Sequence, residues 1–401
     1  LHIHPDASAV VRAHAPDEPV ILNRPHAAAR AACFFAEKFP GKSLYAVKAN
    51  PSPDLLRVLW DAGITHYDVA SIAEVRLVRA VLPEAVLCFM HPVKTTSAIA
   101  EAYRDHGVRT FSLDSQEELE KIVSATCDEA GNVAEDLALC VRLRVSSEYS
   151  ELSLAAKFGI DLADAAPLLQ ATRQVADSLG ICFHVGSQAM TPFAYVQALE
   201  RVRAAIVDAS VTVDIIDVGG GFPSIYPGME PPPLEDYFSV IHRASESLPI
   251  SYSSELWCEP GRALCAEYNS LVVRVDKRRG NELYINDGAY GALFDAAHLG
   301  WRFPVRCLSD ARGEAEEGFA FYGPTCDDAD FMAGPFHLPA DIQAGDYIEI
   351  GMLGAYGAAM RTAFNGFGQG EAFGVADEPM SSLYRGDRAD PRKTDNVVSL
   401  R

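Results

Sequence analysis

Lys48 closes the short apolar run 45-YAVKAN-50, directly before a turn. Lysine is a poor residue for a buried strand, so the position suits an amine held in a pocket for chemistry. Further along, 217-DVGGGFP-223 sets three consecutive glycines after an apolar run. Glycines so placed let the backbone approach a ligand closely and aim N–H groups at an anion such as phosphate. The spacing is not the G-x-G-x-x-G of a dinucleotide fold, and no Walker lysine follows. A second glycine turn, 259-EPGR-262, pairs an acid with an arginine suited to bidentate phosphate contact. His184, in 183-FHVGSQ-188, also ends an apolar run, although a lone histidine there is more often a hydrogen-bonded core residue.

These residues need a frame. Apolar, β-branched runs occupy 43–50, 65–71, 85–90, 109–114, 137–145, 180–186, 214–220 and 256–261. Between them lie stretches with helical spacing, such as 72–82, 115–125 and 193–207. Eight strand–helix units in succession predict a (β/α)8 barrel. Nearly every run ends in a residue able to do chemistry: Lys48, Asp68, His91, Asp114, Arg142 or Arg144, His184, the glycines at 219–221, and Glu259. Barrel enzymes build their sites from those strand ends, and glycine loops after strands seven and eight match their usual phosphate site. A phosphate site, a lysine ending strand one and an acid ending strand eight suggest pyridoxal 5'-phosphate. In such a site the lysine forms a Schiff base and the carboxylate keeps the ring nitrogen protonated.

After residue 262 the pattern becomes β-like, with runs at 263–279, 282–287 and 346–352 and no long helix between them. The expected organisation is a barrel over 24–262 and an all-β domain over 263–375, joined by 1–23 through the strand-like 19-PVILN-23. A polar tail over 376–401 is expected to be partly disordered.

Composition limits the partners. The net charge of −21 argues against nucleic acid and anionic membrane surfaces. No run approaches the roughly 18 apolar residues of a membrane span. The start lacks a basic region followed by an apolar core, so no signal peptide is expected. Nine scattered cysteines show neither a disulfide framework nor metal-ligand spacing, which fits a reducing, cytoplasmic setting and no metal. Cys88, Cys140 and Cys182 lie in apolar runs, where cysteine acts as a small hydrophobe.

From about residue 20 to 370 the chain resembles the ornithine/diaminopimelate group of pyridoxal-phosphate amino-acid decarboxylases, with their alanine-racemase-like barrel. The ornithine decarboxylases are the nearest in pattern. The resemblance rests on 45-YAVKAN-50, 66-HYDVAS-71, 157-KFG-159, 183-FHVGS-187, 217-DVGGGFP-223, 259-EPGR-262, 286-NDGAYG-291, 323-GPTCDDAD-330, 354-GAY-356 and 364-FNGF-367, in the family order. It implies that Lys48 carries the cofactor, Glu259 partners the pyridine nitrogen and His184 stacks on the ring. Ser187, Gly220, Gly221 and Arg262 would bind phosphate, with Tyr356 closing over it. Arg142 would lie near the phenolic oxygen, and Asp68 and Glu74 would support Lys48.

In such relatives the segment at 323–330 reaches the partner subunit's site, which implies a head-to-tail homodimer with shared sites. Cys326 would return a proton to Cα after carbon dioxide leaves. Asp327 would hold the substrate's distal ammonium, Asp295 and Asp330 would add negative charge, and Tyr290 and Phe364 would complete the substrate group. Diaminopimelate decarboxylases usually carry Cys-Glu where this chain has Cys326-Asp327, and Arg-Pro where it has Tyr290-Gly291. The resemblance therefore implies a small basic amino acid as substrate, ornithine first and lysine second. One methylene is worth only about 1–3 kcal/mol of discrimination. Arginine decarboxylases of the group are expected to be longer chains. Diaminopimelate decarboxylation, a racemase on the same barrel and a non-catalytic binding homologue are the alternatives. Two departures stand out: 186-GSQ-188 replaces a common Gly-Ser-Gly, and Arg302 lies near the expected specificity loop, where it is taken as a surface residue.

Overall fold

The structure is a computed structural model that describes residues 3–249, 252–309 and 313–384. It contains two compact units: one of residues 32–223 and 231–263, the other of residues up to 31, 224–230 and from 264 onward.

The first unit is a closed barrel of eight parallel strands: β1 (Lys42–Ala46), β2 (His66–Val69), β3 (Val86–Phe89), β4 (Thr110–Leu113), β5 (Ala138–Arg142), β6 (Ser178–Cys182), β7 (Ile215–Asp217) and β8 (Glu255–Cys258). Each predicted run overlaps one of them. Their interior is a layer of Leu44, Cys88, Met90, Cys140, Cys182, Ile215 and Trp257. Burial pushes the thiols of Cys88, Cys140 and Cys182 up, so they act as packing groups. The outer helices start where the sequence supplies a cap. Ser71, Thr95 and Ser115 accept the backbone N–H of Glu74, Ala98 and Glu118 at the heads of Ile72–Val81, Thr96–Arg104 and Gln116–Thr126. Each such cap stabilises its helix by about 1 kcal/mol.

The second unit holds a nine-stranded sheet. Val20–Asn23 pairs antiparallel with Asn269–Arg279 and parallel with Glu371–Val375. The strands Ile3–His4, Glu282–Ile285, Val305–Cys307, Glu316–Tyr322, Phe331–Pro339 and Tyr347–Ile350 complete it. Arg24 is buried in this unit, bonded to Ser270, Glu349 and Asp377, and Arg306 joins the last two. Residues 376–384 of the expected polar tail pack into this unit. Asp377 belongs to that ion cluster, and Ser382 and Tyr384 are buried. The rest of the expected tail, 385–401, lies outside the described residues.

Candidate active site

Lys48 sits in the single 3-10 turn Val47–Ala49 just past β1, and its ammonium donates to the Asp68 carboxylate at 2.9 Å. The register Ala46↔Asp68 brings these two side chains to one rim of the barrel. Asp68 is buried, whereas the Lys48 side chain is 41 % exposed, so the amine is both held and reachable. Glu74 accepts the Ala70 N–H at 2.7 Å from the first turn of its helix. Burial raises its pKa, Asp68 adds to that, and Lys48 opposes it.

Arg142 ends β5 with its guanidinium 5.6 Å from the Phe158 ring centre. Of the other strand-end residues, Asp114 accepts the Gly159 N–H at 2.8 Å and His91 packs its ring on Phe158. His184 follows β6, and its Nδ1 accepts the Gly186 N–H at 3.1 Å. Burial lowers its pKa well below the usual value, and the Arg142 and Lys48 cations lower it further. The ring is therefore neutral near pH 7, with its proton on Nε2.

The glycine turn is built for close approach. A Cβ on Gly220 would lie 2.8 Å from the Glu259 carbonyl oxygen and 2.9 Å from His184 Nε2. Gly219 N–H donates to Asp217, and the carbonyls of Gly220 and Gly221 accept from the Tyr195 hydroxyl and Ala189 N–H. Among the described residues no acceptor takes the N–H groups of Gly220 and Gly221, which leaves two donors for an anion. Ser187 and Arg262 are buried in the same unit. Gln188, where relatives usually carry glycine, is fully buried at φ 59°, a left-handed conformation that costs a non-glycine residue about 1 kcal/mol. Glu259 is buried, and its pKa is pushed well up by burial and by Asp217 and Asp68. These residues fit pyridoxal phosphate: an amine for its aldehyde carbon, a protonatable carboxyl for its ring nitrogen, and free N–H donors for its phosphate. Sequence reading missed Asp217, whose only signal was its place before the glycines.

The remaining expected residues lie in the sheet unit and form a second group. The Tyr290 hydroxyl donates to Asp327, and its ring lies 4.8 Å from that of Phe364. That bond lowers the Asp327 pKa and raises that of Tyr290. Cys326 is exposed, and its N–H donates to the Asn365 side chain at 3.2 Å. Asp330 is buried and accepts Ala289 N–H, Thr325 N–H and the Thr325 hydroxyl at 2.7, 3.0 and 2.8 Å. It threads between Gly288 and Gly323, where a Cβ at either would come within 2.1 Å of its Oδ1. Its oxygens thus knit 286-NDGAYG-291 to 323-GPTCDDAD-330. Asp287, which is buried, and the partly buried Arg361, both passed over in sequence reading, form an ion pair at 2.8 Å beside it. Asp295 lies in the short helix Phe294–His298, and Tyr356 adopts φ 66°. Arg302, expected on the surface, is partly buried, with its guanidinium against Gly228.

The barrel, its rim lysine and its glycine turn define a pyridoxal-phosphate enzyme, and comparison with known proteins narrows the class. Residues 26–266 match the pyridoxal binding domain of the pyridoxal-dependent decarboxylases, and residues 183–354 match their C-terminal sheet domain. The chain belongs to that family. It is 29 % identical to the lysine/ornithine decarboxylase of Selenomonas ruminantium over 344 residues, covering 84 % of each chain. It is 30 % identical to the ornithine decarboxylase of Mus musculus over 374 residues, covering 85 % of this chain and 77 % of that one. The arginine decarboxylase of Paramecium bursaria Chlorella virus, solved bound to agmatine, superposes with a TM-score of 0.81 at 26 % identity, covering 91 % of this chain and 98 % of the viral one. That coverage corrects the expectation that length separates this chain from arginine decarboxylases. No helix of the described residues is long and apolar enough to cross a membrane. The protein is a pyridoxal-phosphate-dependent decarboxylase of basic amino acids, similar to ornithine decarboxylase.

Proposed function

We propose that this chain converts L-ornithine to putrescine, with L-lysine as its second substrate, as a step of polyamine formation. The carrying observation is the Tyr290–Asp327 pair beside Cys326. It presents a carboxylate, the group that holds a distal ammonium. Among the described residues, no lysine or arginine lines the small pocket formed there by Tyr290, Thr325, Asp330, Phe364 and their neighbours. Arg361 is bonded to Asp287, and Arg302 lies against Gly228. A substrate with a second carboxylate would find no cation in that lining, and its desolvated charge would go unpaired.

The cofactor, when bound, supplies a protonated ring that takes up the electron pair left as carbon dioxide departs. The chain supplies the rest. Lys48 holds the cofactor, with Asp68 keeping its amine at the rim. Glu259 keeps the ring nitrogen protonated, and Arg142 faces the phenolic oxygen. The neutral His184 ring would support the cofactor ring, and Ser187, Gly220, Gly221 and Arg262 would hold the phosphate. Cys326 Sγ returns a proton to Cα. Head-to-tail pairing of two copies would bring Cys326 and Asp327 of one copy to the Lys48 site of the other. Nine scattered cysteines whose spacing shows no disulfide framework suit a reducing cytoplasm.

The test is carbon dioxide release from L-ornithine, L-lysine, L-arginine and meso-diaminopimelate, each as kcat/KM. Ornithine should lead, and Asp327→Asn should lower its value by roughly 10- to 100-fold, the loss of a charge-assisted bond worth about 1.5–3 kcal/mol. Preference for diaminopimelate or arginine would overturn the assignment.

A further inference from the structure

Asp217 is the last residue of β7 and is wholly buried. Its Oδ1 accepts the Gly219 N–H at 2.8 Å, while its Oδ2 is sealed from water with no hydrogen-bond donor facing it. A bare oxygen on a buried carboxylate is costly, so something must compensate it.

The strand register identifies the neighbour. Asp217 pairs with Trp257 of β8, and Val218 N–H and Glu259 N–H bond across to the Trp257 and Gly219 carbonyls. Ile215 and Trp257 belong to the inner layer of the barrel. Side chains alternate along a strand, so Asp217, two residues beyond Ile215, and Glu259, two beyond Trp257, both face inward. They form the next layer up, adjacent to each other and directly beneath the glycine turn. Two adjacent buried carboxyls resist joint ionisation unless a cation joins them, and one shared proton satisfies both. Burial raises the pKa of both and the Asp68 charge adds to it; Asp217 comes to about 6, with its bond to Glu259 opposing the rise, while the Asp217 charge pushes Glu259 further up. The other charged groups close enough to act on the pair are Asp68 on β2, Arg142 on β5 and Lys48.

We propose that Asp217 is a positioning residue: it fixes the Glu259 carboxyl through a shared proton, and that proton passes to the cofactor's ring nitrogen when the cofactor seats. The inference rests on the role given to Glu259 above and adds to it the origin of the proton. As the cofactor enters, the Glu259 O–H bond breaks and an N–H bond forms on the ring. The net charge of the site is unchanged by the transfer. Asp217 remains behind Glu259 as a second negative charge that holds the ring nitrogen protonated.

The test uses infrared spectra of the cofactor-free protein between pH 5 and 9, followed by the visible spectrum and kinetics of the loaded enzyme. Wild type should show the band of a buried protonated carboxyl that persists near pH 7. Asp217→Asn gives Glu259 an amide donor in place of the shared proton, so the band should move to lower pH by about one pH unit or more. Glu259→Gln should abolish the band at pH 7, which keeps the idea testable if Asp217→Asn does not fold. The loaded Asp217→Asn enzyme should retain the absorbance of lysine-bound cofactor and an unchanged KM, with kcat down roughly 100-fold, the scale of misplacing a reacting group by about 1 Å. An unchanged band in either variant would overturn the shared proton. A shifted band with kcat within about twofold of wild type would overturn the positioning role. The infrared reading needs neither cofactor nor substrate, so it stands apart from the assignment of ornithine.

Discussion

Gly220→Ala is a small change at a close approach within the glycine turn. The backbone there is not in the left-handed region, so alanine meets no conformational penalty and the substitution probes space alone. The new methyl would lie 2.8 Å from the Glu259 carbonyl and 2.9 Å from His184 Nε2, distances that real Cβ atoms essentially never show. Ordinary contact begins near 3.4 Å, so the methyl falls short of it by about half an ångström at each of the two neighbours. The Glu259 carbonyl follows β8 directly, and the histidine ring is tethered through Nδ1 to Gly186. Neither moves freely. Overpacking of this kind costs about 1–3 kcal/mol. Because the strain falls on the residues proposed to hold the ring, cofactor affinity should drop by roughly 10- to 100-fold. Fluorescence titration of the cofactor-free variant with pyridoxal phosphate reads the affinity, and a urea midpoint reads the stability. Affinity and stability both equal to wild type would refute the claim that the turn and His184 form one close-packed floor.

Other consequences are equally direct. Asp330→Ala leaves two backbone N–H groups and the Thr325 hydroxyl without their acceptor, so the urea midpoint should fall by on the order of 3 kcal/mol, and an unchanged midpoint would contradict the knitting role. Arg24→Met leaves the buried Glu349 with the Ser270 hydroxyl and Arg306 but without its buried cation, and should cost about 3 kcal/mol in the same assay; a stabilised variant would show the ion cluster to be dispensable. Lys94 Nζ is buried against the carbonyls of His91 and Ser112 and the Glu118 carboxylate, with its pKa pushed down to about 8 by burial. The folded chain then binds fewer protons than the unfolded chain between about pH 8 and 10.5, so stability rises across that window. Relative to Lys94→Met, wild type should gain roughly 3 kcal/mol from pH 8 to 10.5, and a flat difference would contradict the shift.

The barrel was legible because buried parallel strands read as apolar runs, and each run here stops at a polar residue on the rim. Helix starts were equally plain, since Ser71 and Ser115 each precede an acid by three positions. What escaped depends on contacts distant in sequence. Asp330 was expected to add open negative charge, but its saturation follows from the approach of Gly288 and Gly323, which no local pattern encodes. The polar composition at 376–384 hid that Asp377 faces two arginines. The strand Ile3–His4 and the helix Ala7–His14 went unnoticed, although Asp6 caps that helix. Asp217 was masked by the glycines that follow it, and only the pairing of β7 with β8 sets it beside Glu259.

The central claim is that Lys48, held at the rim by Asp68, carries the cofactor of this decarboxylase. Borohydride reduction of the loaded enzyme fixes the cofactor to its lysine, and peptide mass spectrometry locates it. The account predicts the adduct on Lys48, with none in Lys48→Ala and carbon dioxide release lost. An adduct on Lys94 or Lys157, or undiminished turnover by Lys48→Ala, would contradict it.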